Sequence, residues 1–384
     1  MKDFIFKNAK LIIVEAGATN RLGEIVAKLG VNRVIIITDQ GIVKAGLLTR
    51  AVAGLKKAGL EVCTYEDVLA DPPEKVVNEA LTAAKEFKAE GVVGFGGGST
   101  MDVAKLVAFL MGSAQSLTDL YGLLEASGPR LPLVQVPTTA GTGSEVTAIS
   151  VLSVGENKKQ GVSTPQLLAD VALLDAELTL GLPPHGTAAT GVDAMVHAIE
   201  AYTSKARKNP ISDALAREAM RLLSANIRTA VAEGGNLEAR SNMLLGSLLA
   251  GQAFGNSTVG AMHAFAHVLG AHFHIPHGLG NSLVLPHVLR FNLANCTKEY
   301  AELAACILPD THNCSDEALA DRFIEAIEAL IADLGLETRL SQVGIEQPDL
   351  TMLAEAGMKE ERILAWNARE MTYDDALMIF TQAF

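Results

Sequence analysis

Six short apolar runs rich in β-branched residues recur through the first half of the chain, at residues 11–14, 33–38, 60–64, 91–95, 131–136 and 171–175. Between them lie stretches of helical period, such as 41–60 and 73–89. Strands spaced this way, with helices as crossovers, predict a parallel sheet covered on both faces. Ligands of such sheets bind at the carboxyl ends of the strands. The densest group of chain breakers, Gly181-Leu-Pro-Pro-His-Gly186, marks a boundary, and we expect one domain over 1–184 and a second over 185–384. Beyond it the texture turns to Ala, Leu, Glu and Met at helical spacing, in segments 187–204, 211–233, 237–254, 261–272 and 317–334. The second half reads as all-α, with an irregular stretch around 308–315.

The loop Gly94-Phe-Gly-Gly-Gly-Ser-Thr-Met-Asp102 joins the fourth run to a helix. Glycine at 96, 97 and 98 removes each Cβ from the turn, so backbone N–H groups can approach an anion, and the helix N-terminus favours a phosphate there. Ser99 can cap the helix or donate to the phosphate. The pattern is not G-x-G-x-x-G, and no G-K-[ST] follows, which excludes a P-loop. Pro137-Thr-Thr-Ala-Gly-Thr-Gly-Ser-Glu145, directly after the fifth run, offers hydroxyls and flexible backbone for a ribose and a second phosphate. Asp39 stands just past the second run. A carboxylate there hydrogen-bonds ribose hydroxyls and repels a 2′-phosphate, favouring NAD over NADP. The same carboxylate can instead cap the helix after Gln40.

Composition removes other classes. The chain has 384 residues, ample for two domains, with 49% hydrophobic residues and a formal net charge of −13. That charge argues against a nucleic-acid partner, which needs a concentrated basic face. No apolar run is long enough for a membrane span, and the N-terminus lacks a signal-peptide core, so a cytoplasmic location is expected. Cys63, Cys296, Cys306 and Cys314 form no C-x-x-C pair and read as free thiols.

Five of the nine histidines lie between His263 and His277, and Asp193 precedes His197 by four residues. Asp193 with His197, and His263 with His267, have the i, i+4 spacing that puts both side chains on one helix face. Imidazole nitrogen and carboxylate oxygen suit Zn(II) or Fe(II), and three or four such ligands leave a position open for chemistry. Spacing alone nominates His267 ahead of His277.

These motifs, in this order, resemble the iron-dependent (group III) alcohol dehydrogenases over essentially the whole chain: Gly96-Gly-Gly-Ser-x-x-Asp102, the 137–145 loop, Ala188-Ala-Thr-Gly-Val-Asp-Ala-Met-Val-His-Ala-Ile-Glu-Ala-Tyr202, and His263-Ala-Phe-Ala-His267 followed by His277-Gly278. The resemblance implies a Rossmann-like dinucleotide-binding α/β domain, an all-helical metal-binding domain and an active site in the cleft between them. It implies Asp193, His197, His263 and His277 as metal ligands, with His267 beside them in proton transfer and no ligand role for His272 or His274. Asp39, Gly97, Gly98, Ser99, Thr138, Thr139 and Thr142 would bind NAD, Lys159 would lie near the nicotinamide, and Phe254 would line the substrate pocket. The metal is expected to be Fe(2+), with Zn(2+) or another divalent ion as alternatives, and the protein a homo-oligomer.

The function so implied is metal-assisted hydride transfer between NAD(H) and a small alcohol or its aldehyde or ketone. A polyol dehydrogenase is disfavoured because Ala148-Ile-Ser150 is small and mostly apolar. A metal- and NAD-dependent carbon–oxygen lyase needs Lys and Arg to clamp a phosphorylated substrate, and Ala, Leu, Gly and Met flank the ligand motifs instead. A non-catalytic metal and nucleotide sensor is separated by turnover, and a metal-dependent hydrolase leaves the glycine loop unused. One departure from the family is Trp366-Asn-Ala-Arg369, where relatives often carry Asn-Pro-Arg.

Overall fold

The computed structural model describes residues 3–121, 126–155 and 158–384. Two compact units emerge: Lys7–Thr139 with Gly143–Gly181, and Leu182–Phe384 with Ala140–Thr142 and residues 3–6.

The first unit contains β1 (Leu11–Val14), β2 (Arg33–Ile37), β3 (Glu61–Tyr65), β4 (Gly91–Gly96), β5 (Leu133–Pro137), β6 (Ile149–Val154), β7 (Lys158–Ser163) and β8 (Val171–Leu174). Its helices are α1 (Leu22–Ala27), α2 (Gln40–Lys44), α3 (Leu48–Lys57), α4 (Glu74–Phe87) and α5 (Gly98–Gly112). Six strands form one sheet in the order β1-β8-β5-β4-β2-β3, every neighbouring pair parallel. The strands β4, β5 and β8 are buried along their whole length, as a sheet covered on both faces requires. Val34, Ile36, Val93, Phe95, Val134 and Val136 face one core with α1 and α3. Ile35, Ile37 and Val92 alternate to the other face, where α4 and α5 contact the sheet.

Three features depart from the expectations. The helical stretch 41–60 is broken into α2 and α3, with Gly46 at φ 71° between them. An antiparallel hairpin, β6 with β7, stands apart from the sheet; its second strand, Lys-Lys-Gln-Gly-Val-Ser, is too polar to announce itself. The change of unit falls at Gly181/Leu182 rather than between 184 and 185, and Ala140–Thr142 belongs with the helices. Gly141 explains the excursion, since a Cβ there would lie 2.9 Å from Thr190 Cβ.

The second unit consists of α6 (Pro184–Thr203), α7 (Pro210–Ala232), α8 (Leu237–Gly255), α9 (Ala261–Phe273), α10 (His277–Ile307), α11 (Asp316–Asp333), α12 (Asp349–Met358), α13 (Glu361–Leu364) and α14 (Tyr373–Ala383). Asn209, Asn236, Ser315 and Thr372 cap α7, α8, α11 and α14 with their side chains. The 31-residue α10 was not foreseen, because Pro286, Gly278 and Gly280 interrupt its pattern. The helix α6 is buried on all sides from Gly191 to Tyr202 and packs against α7, α8 and α10. Gly278 sets the α6–α10 approach: a Cβ on it would lie 2.3 Å from the Ala189 carbonyl oxygen. Among the described residues, no helix is long and apolar enough to cross a membrane.

Gly278→Ala is therefore expected to cost about 2 kcal/mol or more in urea unfolding, because backbone must move to admit the methyl. A variant as stable as the native chain would show that α6 and α10 separate freely. A second expectation concerns Glu145, 1% exposed in the first unit, which burial lifts from the ordinary 4.5 to about 7 against the pull of Lys105. Its folded state prefers the neutral acid, so the stability it contributes is complete below about 4.5 and is lost as pH rises through about 7. Glu145→Gln should gain about 2 kcal/mol on the native chain between pH 5 and pH 8, and a difference that does not vary with pH would refute this.

Candidate functional site

Helix α6 delivers Asp193, His197 and Glu200 to one face, at i, i+4 and i+7. All three are at most 5% exposed. The first turn of α9 brings His263, and α10 begins with His277. One ligating atom each from Asp193, His263 and His277 lie within 4.8 Å of one another. Asp193 Oδ1 is 3.9 Å from His263 Nε2 and 3.6 Å from His277 Nε2. His197 adjoins this group, with its Nε2 2.9 Å from His263 Nε2 and its Nδ1 4.0 Å from Asp193 Oδ2. Its Nδ1 makes no hydrogen bond, and its ring stacks on Phe254 at 4.2 Å between centroids.

The donor chemistry fits a divalent cation. Glu200 Oε2 lies 2.6 Å from His263 Nδ1; burial lifts Glu200 to about 7, and in its ionised form it accepts from that nitrogen and leaves Nε2 a lone pair. Two imidazole Nε2 atoms 2.9 Å apart beside a carboxylate then call for a shared proton or a cation. Burial, followed by the His197 charge, drives His263 well below its ordinary value, so it is held neutral. Burial opposes ionisation of Asp193, but the facing His197, His277 and His263 and the Asn281 amide together hold it below the ordinary carboxylate value. Nitrogen and oxygen donors of this kind suit Fe(2+) or Zn(2+).

Spacing pointed to His267, but the structure puts His277 in the compact group. His267, one turn along α9, has its ring 5.6 Å from that of His277 and its Nδ1 3.8 Å from Glu360 Oε2. His274 ends α9 in left-handed conformation at φ 55°, and His272 is in the last turn of the helix; neither joins the group.

Three neighbours of the ligands were not singled out from the sequence: Glu200, Asn281 and Glu360. Glu200 carried a readable signal, its place on the face of Asp193 and His197. It accepts from Met262 N at 2.8 Å, so it also caps α9, whose own N-cap residue Gly260 has no side chain. Asn281, one turn after His277, donates from Nδ2 to Asp193 Oδ1 at 2.7 Å. The divergent Trp366-Asn-Ala-Arg369 stretch acts as a brace. Asn367 exchanges two hydrogen bonds with Asn292 of α10 and accepts from Ala261 N of α9, while Arg369 lies over the Phe291 ring at 4.2 Å.

In the first unit the other candidates collect at the carboxyl ends of adjacent strands. Asp39 follows β2, Gly97 follows β4 and Thr138 follows β5; Thr138 N donates to Gly96 O at 3.1 Å. Gly97 has an ordinary φ of −78°, and a Cβ there would meet only the Thr139 side chain, at 3.7 Å. Neither the turn nor packing requires glycine at 97, so the backbone is bare at the α5 N-terminus, which begins with Gly98 and Ser99. Asp39 Oδ1 caps α2 by accepting from Gly41 N and Ile42 N, and its Oδ2 faces Thr100 Oγ1 at 3.3 Å. Lys159 in β7 pairs with Asp71 at 2.6 Å. Thr142 falls in the helical unit. A buried lysine went unremarked in the sequence: Lys105, on α5, donates to Ser144 Oγ at 2.7 Å and to Ile149 O at 2.5 Å, tying the helix to the start of the hairpin.

Residues 9–176 match the model of the iron-containing alcohol dehydrogenases, and residues 187–384 that of the C-terminal domain of the Fe-containing alcohol dehydrogenase family. A long-chain-alcohol dehydrogenase of Geobacillus thermodenitrificans is 40% identical over 96% of this chain and 93% of its own. Among solved structures, a 1,3-propanediol oxidoreductase superposes with a TM-score of 0.96 at 35% identity, covering 100% of both chains. Sulfoacetaldehyde reductase from Bifidobacterium kashiwanohense, solved in complex with NAD+, gives 0.88 at 29% identity, covering 100% of this chain and 99% of that one. With matching motifs, donor set and fold along its whole length, the chain belongs to the iron-containing alcohol dehydrogenase family.

Proposed function

We propose that this enzyme interconverts a small primary or secondary alcohol and its aldehyde or ketone, using a divalent metal, iron in first place, and NAD(H). The observation that carries the reading is the buried convergence of Asp193, His263 and His277, with His197 against them. Names among its relatives, alcohol dehydrogenase and aldehyde reductase, support the reaction class. The small, mostly apolar Ala148–Ser150 stretch supports a simple alkyl substrate over a polyol.

When bound, the cation supplies a Lewis acid for the alcohol or carbonyl oxygen, and the nicotinamide carries the hydride. The chain's own residues do the rest. Asp193, His197, His263 and His277 hold the ion with a single negative charge, so the centre stays electropositive. Phe254, stacked on His197, offers an apolar wall to the substrate carbon. His267, with Glu360 beside it, takes the proton lost by the alcohol hydroxyl and passes it outward. Gly97, Gly98 and Ser99 receive the pyrophosphate on bare backbone, Thr138, Thr139 and Thr142 offer hydroxyls, and Lys159 serves the nicotinamide end. Asp39, with Oδ1 spent on the α2 cap and Oδ2 accepting from Thr100 Oγ1, has a further lone pair on Oδ2 for a ribose hydroxyl and disfavours NADP. A homo-oligomer and a cytoplasmic location belong to the same proposal. The exposed Leu11 and Val14 of the edge strand β1 support self-association, which light scattering reads directly.

Replacing His263 or His277 with Ala should abolish metal retention in elemental analysis and reduce turnover of an alcohol panel at least about 1,000-fold, with NAD affinity nearly unchanged. Full activity in either variant would sink the ligand assignment. Asp39→Gly should raise the NADP-to-NAD ratio of kcat/KM by roughly tenfold, the equivalent of about 1.4 kcal/mol, and an unaltered ratio would leave Asp39 only its helix cap.

A further inference from the structure

We propose that Asn281 is a positioning residue that prepares the donor group before a cation arrives; the inference rests on the metal reading above. Asn281 is fully buried, one turn beyond His277 on α10. Its Nδ2 is 2.7 Å from Asp193 Oδ1, 3.3 Å from His277 Nε2 and 3.5 Å from His263 Nε2. One primary amide thus faces an atom from each member of the compact group.

The orientation of that amide is dictated by its neighbours. Turned over, it would point its carbonyl oxygen at a buried carboxylate, lone pair against lone pair, so the NH2 end must face inward. The Asn281 carbonyl oxygen accordingly points elsewhere and meets no donor. An NH2 group has two hydrogens. One goes to Asp193 and fixes the carboxylate rotamer. The other faces His277 Nε2, the nearer of the two imidazole nitrogens, and is tolerated only if that nitrogen presents a lone pair rather than a hydrogen.

Asn281 therefore selects the tautomer in which Nε2 of His277 is unprotonated, which is the ligating form. Glu200 does the same for His263 from the opposite side, through Nδ1. The result is a donor set whose rotamers and tautomers are chosen by two hydrogen-bonding residues that are not themselves ligands. A leucine of similar size at 281 would keep the packing and remove the donor.

The test uses Co(II), whose visible bands report coordination geometry, loaded into metal-free full-length protein. Asn281→Leu should release Co(II) to EDTA about 10- to 100-fold faster than the native chain and shift its visible bands. The metal-free variant should unfold at lower urea than the native chain, because the buried Asp193 loses its donor, while its NAD affinity should stay as in the native chain. If Leu is not accommodated, Asn281→Ala, which only removes atoms, should give the same two changes. A soluble, folded variant with native release rate and native spectrum overturns the role of Asn281 alone. Failure of the native chain to take up Co(II) overturns the metal reading itself and this inference with it.

Discussion

A negative charge sealed in a helical interior is the constraint on which the second unit depends. Asp193 is 2% exposed in the middle of α6, where an uncompensated carboxylate is costly enough to prevent folding or to force its neutralisation. Its compensation comes from three places in the chain: His197 on the same helix, His263 from α9, and His277 with Asn281 from α10. The packing around it follows from this need. Gly278 lets α10 press on the α6 backbone, Glu200 caps α9 and orients His263, and Asn367 ties α9 to α10. A group in which one buried carboxylate and several imidazoles meet is also a group whose oxygen and nitrogen donors converge, which is the chemistry of a divalent-metal site.

The first unit meets a different demand. Its parallel strands are buried on both faces, so polar function is confined to the strand ends, where backbone N–H groups and short side chains emerge together. Parallel order sends the ends of β2, β4 and β5 to the same edge, and so Asp39, Gly97 and Thr138 become neighbours although about 100 residues separate the first from the last. Lys105 shows how far the support extends: a fully buried ammonium, held by Asp102, Ser144, Thr147 and the Ile149 carbonyl, joins the helix of the glycine loop to the segment after β5. Burial lowers its pKa, and the nearby carboxylates of Asp102 and Glu145 oppose that shift.

Much of this was legible in advance, and the exceptions have physical causes. Strands such as β1 and β4 were recognisable because period and composition agreed, and α7 and α11 carried both amphipathic spacing and side-chain caps. The helix α10 was overlooked because Gly278 and Gly280 serve close contacts with α6 and α9 at the expense of local propensity, and Pro286 interrupts its pattern. The polar hairpin strand β7 is held by pairing with β6 and not by its own pattern. At the site, residues four apart on one helix could be paired by eye, as Asp193 with His197. The preference for His267 over His277 came from the same local geometry.

By itself, then, the amino-acid sequence determined which residues could ligate, which loop could cradle a phosphate, and the order of an α/β half and a helical half, since these follow from side-chain chemistry and short periodicities. Only the tertiary structure decided which histidine meets Asp193, that Glu200 and Asn281 orient the ligands, and that Ala140–Thr142 belongs with the helices. Those outcomes rest on contacts between segments far apart in the chain, at distances set by atoms such as the missing Cβ of Gly278, and no local pattern encodes the direction in which two helices approach.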